Sequence, residues 1–278
     1  MKHAFTIDLE DWFCSHNLQQ VTPYKDWNKL ESRVVKNTEQ LMEILQRSKI
    51  SATFFVLGWI ADHFPCLVKS IKNEGHEIGS HGYSHQRLVE LTPELFKLDI
   101  KESVRSITSA IGNPPTGYRA PAFSVVQKTL WALPILKNFG FEYDSSIYPT
   151  SFHPDYGMND INLNIHNTQY NIMEIPMSCA EIGSIRIPCS GGAYFRFMPY
   201  FAFRFFAKLV EKKGRPLIFY IHPWELDSNP PKVHLPTFKK IRHYTNVKTT
   251  QEKLNRLLNE FEFTSLHEII NSRKILND

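Results

Sequence analysis

Short apolar runs alternate along this chain with helical stripes. Phe5-Thr6-Ile7-Asp8-Leu9-Glu10 reads as a first strand that places Asp8 and Glu10 on one face and Ile7 and Leu9 on the other. Val34, Thr38, Leu41 and Leu45 recur at helical spacing and predict a helix over 34–46. Ala52 to Gly58 is almost continuously apolar, as in a strand covered on both faces of a parallel sheet. A helix over 65–73 ends at Gly75, and a strand over 76–79 follows. Thr92-Pro93 caps a long helix whose buried stripe is Ile100, Val104, Ile107 and Ile111. A strand over 116–119, a helix over 129–138 kinked at Pro134 and a strand over 141–144 continue the pattern.

Residues 147–171 are polar and turn-rich, which predicts a long loop. The β-like runs 172–177 and 184–188 predict a hairpin, part of an insertion over about 172–196. A helix over 199–212 leads to a strand over 216–221 that ends at His222. Thr249 and Glu252 have capping-box spacing ahead of the helix through Leu254, Leu257, Leu258 and Phe261, and 263–270 closes the chain. Strand then helix, about seven times over, argues an α/β fold with a parallel sheet. No internal repeat or low-complexity linker breaks it, so the expectation is one domain over 1–278.

Composition removes some functions. The 278 residues carry net charge +4 with no Lys/Arg-rich block, so no nucleic-acid partner is indicated. Cys14, Cys66, Cys179 and Cys189 show neither CxxC nor zinc-finger spacing, which suggests free thiols in a reducing compartment. A bridge between Cys179 and Cys189 across the hairpin stays open. The opening residues lack an apolar leader core, and no run approaches the roughly 20 apolar residues of a membrane span. A cytoplasmic protein is expected.

The chemistry collects where strands end. Asp8, Glu10 and Asp11 close the first; His81 and His85 follow the third; Arg119, Asp144 and His222 close later ones. In an α/β barrel those C-terminal ends build one site. Two histidines four residues apart can grip a divalent ion, with a carboxylate as third ligand.

Thr6-Ile7-Asp8-Leu9-Glu10-Asp11, Ala52 to Gly58, Gly75 to His85, Tyr118-Arg119-Ala120-Pro121 and Ile221-His222-Pro223-Trp224-Glu225 resemble, in order, the motifs of the polysaccharide deacetylase (NodB-homology) family. Ile187 to Arg196 and the ending at Glu225 resemble its exopolysaccharide- and exosortase-associated subgroup. The resemblance implies a distorted (β/α)7 barrel that uses one divalent ion, zinc by preference, to remove acetyl groups from N-acetylated sugars, lipid-linked ones included. Position by position it implies His81 and His85 as metal ligands, Ser84 as the brace of their loop, Asp8 as base, Arg119 as its orienting partner and His222 as acid. It further implies the backbone N–H of Ala122 as oxyanion donor.

Two positions depart from the family pattern. Leu9 stands where a second aspartate usually ligates the metal; Glu10 is the replacement, with Asp11 as the alternative. Asp144 is the nearest match to the aspartate that orients the acid histidine, but the usual Asp-Trp pair is missing. Trp224 follows His222 closely enough to line a sugar subsite. The aromatic stretch 194–206 reads as a helix packing inward, or as an interfacial patch with Arg204 and Lys208 at lipid headgroups. Hydrolysis of a cyclic ureide, or carbohydrate binding without catalysis, are the competing functions.

Overall fold

A computed structural model describes residues 1–150 and 156–277. Residues 151–155, within the predicted loop, lie outside the described residues. Eleven strands occur among the described residues: β1 (His3–Leu9), β2 (Thr53–Val56), β3 (Glu77–Ser80), β4 (Gly117–Tyr118), β5 (Tyr143–Asp144), β6 (His166–Asn167), β7 (Met173–Glu174), β8 (Cys179–Ile182), β9 (Ile185–Pro188), β10 (Ile218–Ile221) and β11 (Phe263–Thr264). The helices are α1 (Val34–Arg47), α2 (Gly58–His63), α3 (Pro65–Asn73), α4 (Pro93–Ile111), α5 (Ala132–Asn138), α6 (Gly192–Phe197), α7 (Tyr200–Lys212), α8 (Thr237–Tyr244), α9 (Val247–Glu260) and α10 (Leu266–Asn277).

Seven strands pair in parallel in the order β10–β1–β2–β3–β4–β5–β7. With the helices around it, this curled sheet is the expected distorted (β/α)7 barrel. β11 pairs with the start of β1, and β6 lies antiparallel on β7. The seam from β7 to β10 is closed by loop groups. Ser178 Oγ accepts from Ile218 N at 2.8 Å, and Ser190 O accepts from Tyr220 N at 2.8 Å. Gly191 sits against Tyr220 at φ 139°, where a Cβ would fall 1.9 Å from the Tyr220 carbonyl oxygen, so only glycine fits this seam.

The apolar pattern explains the packing. Val34, Leu41 and Leu45 of α1 are buried against a core that includes Phe54, Val56, Phe219 and Ile221. β2 is buried along its whole length, as its unbroken apolar run predicts. Thr92 Oγ1 accepts from Leu95 N at 3.3 Å, and α4 ends on left-handed Gly112.

Four expectations are corrected. The 172–177 run is not a hairpin arm: Met173–Glu174 is a barrel strand, and the hairpin is β8 with β9. Gly192–Phe197 of the predicted insertion is helical. The expectation of free thiols holds for Cys179 and Cys189, with Cys179 opposite Pro188 in the hairpin ladder. Thr249 is no cap, because Asn246 starts α9 from a left-handed conformation and the Thr249 hydroxyl donates to its carbonyl oxygen. Pro134 lies in the first turn of α5, where its missing N–H costs nothing. α8 falls in a stretch for which the sequence reading assigned no element.

Candidate active site

Because the seven strands run the same way, the polar residues at their ends meet at one rim. Asp8, Glu10, His81, His85, Ala122, His222, Trp224 and Glu225 line one pocket there, with empty space of about 690 Å³. Phe123, Tyr156, Tyr220 and Ala193 form further wall, and Ser15, His16 and Asn17 edge it. Most of the lining is charged or polar, with Phe123, Tyr156, Tyr220 and Trp224 as aromatic wall, a make-up suited to a polar ligand.

The carboxylates at the end of β1 take different partners. Asp8 Oδ1 accepts from Arg119 NH1 at 2.8 Å. That guanidinium is fully buried and also donates to Thr6 Oγ1 (2.7 Å) and the Ser145 carbonyl (3.0 Å), with its plane 4.3 Å from the Phe55 ring centre. Burial alone would raise the Asp8 pKa, but Arg119, His81 and His222 together hold it below the usual carboxylate value. Asp8 is therefore an ionised, oriented carboxylate.

Glu10 Oε2 lies 3.4 Å from His85 Nε2, and Glu10 Oε1 lies 3.0 Å from His222 Nε2. Donor atoms of Glu10, His81 and His85 all fall within 4.8 Å of one another, and the three residues are buried. Burial pulls both His81 and His85 down to about 4, so both rings are neutral with a lone pair available. His81 Nδ1 is 2.8 Å from the Arg119 carbonyl, which fixes its tautomer and leaves Nε2 unprotonated. Glu10 Oε2 and His85 Nδ1 are buried with no hydrogen-bond partner. Orphaned donors in a buried His₂-carboxylate set fit a divalent cation of the zinc class.

Asp11, the alternative third ligand, does other work. Its oxygens accept from the N–H groups of Trp12 (2.8 Å), Arg33 (2.9 Å) and Val34 (3.1 Å), and Ser32 Oγ donates to it at 2.6 Å. It ties the first strand to the start of α1 and has no capacity left for an ion. Ser84 does brace the histidine loop, but through Asp99. That carboxylate accepts from Tyr83 N (2.9 Å), Ser84 N (3.3 Å) and Ser84 Oγ (3.2 Å). Gly82, at φ 75°, is needed beside it, since a Cβ would lie 2.9 Å from Asp99 Oδ2. His85, Ala122 and Phe123 also have positive φ, so backbone strain collects around the pocket.

Residues 27–143 match the polysaccharide deacetylase family, and residues 145–271 match a domain of unknown function (DUF3473). The segment 27–143 is a polysaccharide deacetylase domain. The chain is 34% identical over 119 residues to a peptidoglycan deacetylase from Helicobacter pylori, across 42% of this chain and 39% of that protein. It is 34% identical over 96 residues to a peptidoglycan-N-acetylglucosamine deacetylase from Bacillus cereus, across 34% and 35% of the two chains. The chain thus spans less than two-fifths of the length of these curated relatives. Its fold is similar to that of a candidate polysaccharide deacetylase from Mycobacterium smegmatis, with TM-score 0.64 at 17% identity, covering 100% and 92% of the two chains. The barrel sheet draws strands from both matched segments.

The acid-histidine partner is a correction. Asp144 does not reach His222: one oxygen accepts from Ser146 Oγ, and it sits opposite Glu174 in the β5–β7 register. Instead, His222 Nδ1 is hydrogen-bonded to Glu225 Oε1 within the turn that follows β10. Arg196 Nε donates to the other Glu225 oxygen at 3.0 Å, and its remaining nitrogens donate to the carbonyls of Arg242, His243 and Thr245. Burial pushes His222 down, but Glu10 and Glu225 outweigh it and raise it to about 10. The spacing His222-x-x-Glu225 was the one sequence signal for this pair, since three residues make one turn of 3-10 helix. Arg196, which arrives from α6, closes the Ile187 to Arg196 motif, but nothing in that motif names Glu225 as its partner. Trp224 does line the pocket, as a buried back wall stacked between His222 (5.2 Å) and His243 (4.6 Å).

Proposed function

We propose that this protein is a metal-dependent hydrolase that removes N-acetyl groups from an N-acetylhexosamine unit of a bacterial polysaccharide or its precursor, with zinc as the metal. The observation that carries the reading is one pocket holding an ionised Asp8 and a hydrogen-bonded His222 beside the Glu10–His81–His85 set. The peptidoglycan-N-acetylglucosamine deacetylase among the relatives supports the choice of sugar.

Glu10, His81 and His85 would hold the ion, which when bound supplies Lewis-acid polarisation of an amide carbonyl and a lower pKa for a water molecule. Asp8, kept ionised by Arg119, accepts the proton of the attacking water. The backbone N–H of Ala122 faces the developing oxyanion. As the C–N bond breaks, His222 donates its proton to the departing amine, and Glu225 stabilises the imidazolium beforehand. Acetate and the free amino sugar leave.

The test is acetate release from N-acetylglucosamine oligomers and from nucleotide- and lipid-linked N-acetyl sugars, with bound metal measured on the same sample. Release that a chelator abolishes and zinc restores is expected. Cleavage of a cyclic ureide with no acetate release would replace this reading with the small-amide hydrolase. Saturable glycan binding with no turnover at full metal loading would make the protein a binder.

A further inference from the structure

The segment 228–251 contains five Lys and Arg residues and no Asp or Glu. It carries α8, whose outward face shows Phe238 and Ile241 at 76% and 51% exposure. Among the described residues, Lys232, Lys239, Lys240 and Lys248 lie within ion-pair distance of no acid. Lys239 Nζ instead donates to the Gln20 side chain at 3.2 Å, next to exposed Val21. α8 therefore stands at the rim of the pocket: Arg242 lines it from α8, and Ser15 to Asn17 line it from the segment Lys239 touches.

Apolar side chains that project among uncompensated lysines match one chemistry, the headgroup–acyl boundary of an anionic bilayer. The aromatic face of α7 is a weaker match. Phe201 is 74% exposed there, but Arg204 pairs with Glu260 and Lys208 with Glu211, so its cations are neutralised. No helix among the described residues is long and apolar enough to cross a membrane, so contact through α8 is at the surface.

We propose that α8 and its acid-free flanks dock this protein on an anionic lipid surface, through Phe238 and Ile241 in the headgroup layer and Lys239 and Lys240 against lipid phosphates. Docked this way, the pocket mouth opens beside the membrane, where a glycan carried on lipid is presented.

The experiment is co-sedimentation of the full chain with phosphatidylcholine vesicles and with vesicles that also contain phosphatidylglycerol. Retention on the anionic vesicles alone, released by raised salt, is expected. Lys239→Ala with Lys240→Ala should weaken the partition about 30-fold, as roughly 1 kcal/mol for each basic residue near the surface implies. Phe238→Ser should weaken it several-fold, and Phe201→Ser on α7 should leave it unchanged. Circular dichroism confirms that each variant folds. Equal retention on neutral vesicles, no retention on either, or loss only with Phe201→Ser overturns the proposal. So does binding to soluble polyglutamate without binding to vesicles, which would assign the face to an acidic protein.

Discussion

The two flanks of the pocket are built by different means. On one side, Asp8, Glu10, His81 and His85 leave the ends of β1 and β3, on either side of β2, and Arg119 at the end of β4 holds Asp8 and His81. On the other, His222 also ends a strand, but its charge is held by Glu225, and Glu225 by an arginine from α6 that is anchored on three carbonyls at the C-terminal end of α8. The first flank needs its strands in register; the second needs distant segments to arrive together. Substitutions on the two flanks should therefore fail in different ways.

The largest effect should come from the strand-end flank. His81→Ala should abolish metal retention, read by elemental analysis, and activity with it. Asp8→Asn should keep metal but lower kcat by about 10²- to 10⁴-fold, the usual contribution of a positioned base. Glu10→Ala should cost metal affinity, whereas Asp11→Ala should spare it and lower Tm, because three N–H groups and a hydroxyl lose their acceptor. Metal loss in Asp11→Ala without loss in Glu10→Ala would reverse the assignment of the third ligand.

Glu225→Gln probes the other flank. His222 sits at about 10 in the folded chain against an ordinary 6.5. Its acid form is present below that value and lost as pH rises through it, so the alkaline limb of kcat against pH reports it. When Glu10 shares its charge with a cation, Glu225 supplies most of the remaining upward push. Removing that charge should bring the alkaline limb to lower pH and cut kcat about 10- to 100-fold at alkaline pH, with a smaller loss near pH 6. The linked stability has the same sign: it is fully present below pH 6.5 and lost as pH rises through about 10, so the variant should lose its excess stability at lower pH than the parent. An alkaline limb that does not move would separate Glu225 from His222.

Arg196→Met should act through folding. It leaves a buried Glu225 carboxylate without its cation, which typically costs about 3–5 kcal/mol, measurable by denaturant unfolding. Arg196→Met with Glu225→Leu should be less destabilised than Arg196→Met alone, since the stranded Glu225 carboxylate is gone and His222 still faces Glu10.

That contrast also explains what the residues disclose before folding. The barrel and the strand-end positions of Asp8, Glu10, His81, His85, Arg119 and His222 were readable because strand alternation and short motifs carry them within a few residues. Glu10 could not be separated from Asp11 from sequence, since both are acids at the end of one strand; only the N–H groups of Arg33 and Val34 claim Asp11. Asp144 was misread because a match to a family position says nothing of the partner, and its partner is Glu174, thirty residues on and adjacent only through the β5–β7 register. Arg196 and Asp99 act across long sequence separations and leave no periodic trace. The 172–177 run was misplaced because a short apolar stretch does not reveal whether its neighbour is a hairpin arm or a barrel strand.

The smallest effect on activity should come from Asp144 and Glu174, the buried acids that lie outside both flanks. Burial raises Asp144 to about 6 and pushes Glu174 well above the usual carboxylate range, since two adjacent buried carboxyls cannot both ionise. The pair retains a proton that the unfolded chain releases. Its stability contribution is therefore present at acidic pH and lost as pH rises through about 6 and above. Glu174→Gln keeps the shape and a donor toward Asp144 while removing one titrating group. Its Tm should decline less between pH 5 and pH 8 than that of the parent, by a few °C, with kcat changed less than about threefold. A kcat loss as large as that of Glu225→Gln, with the alkaline limb displaced, would show that Asp144 and Glu174 reach His222 after all and would erase the distinction between the two carboxylate pairs.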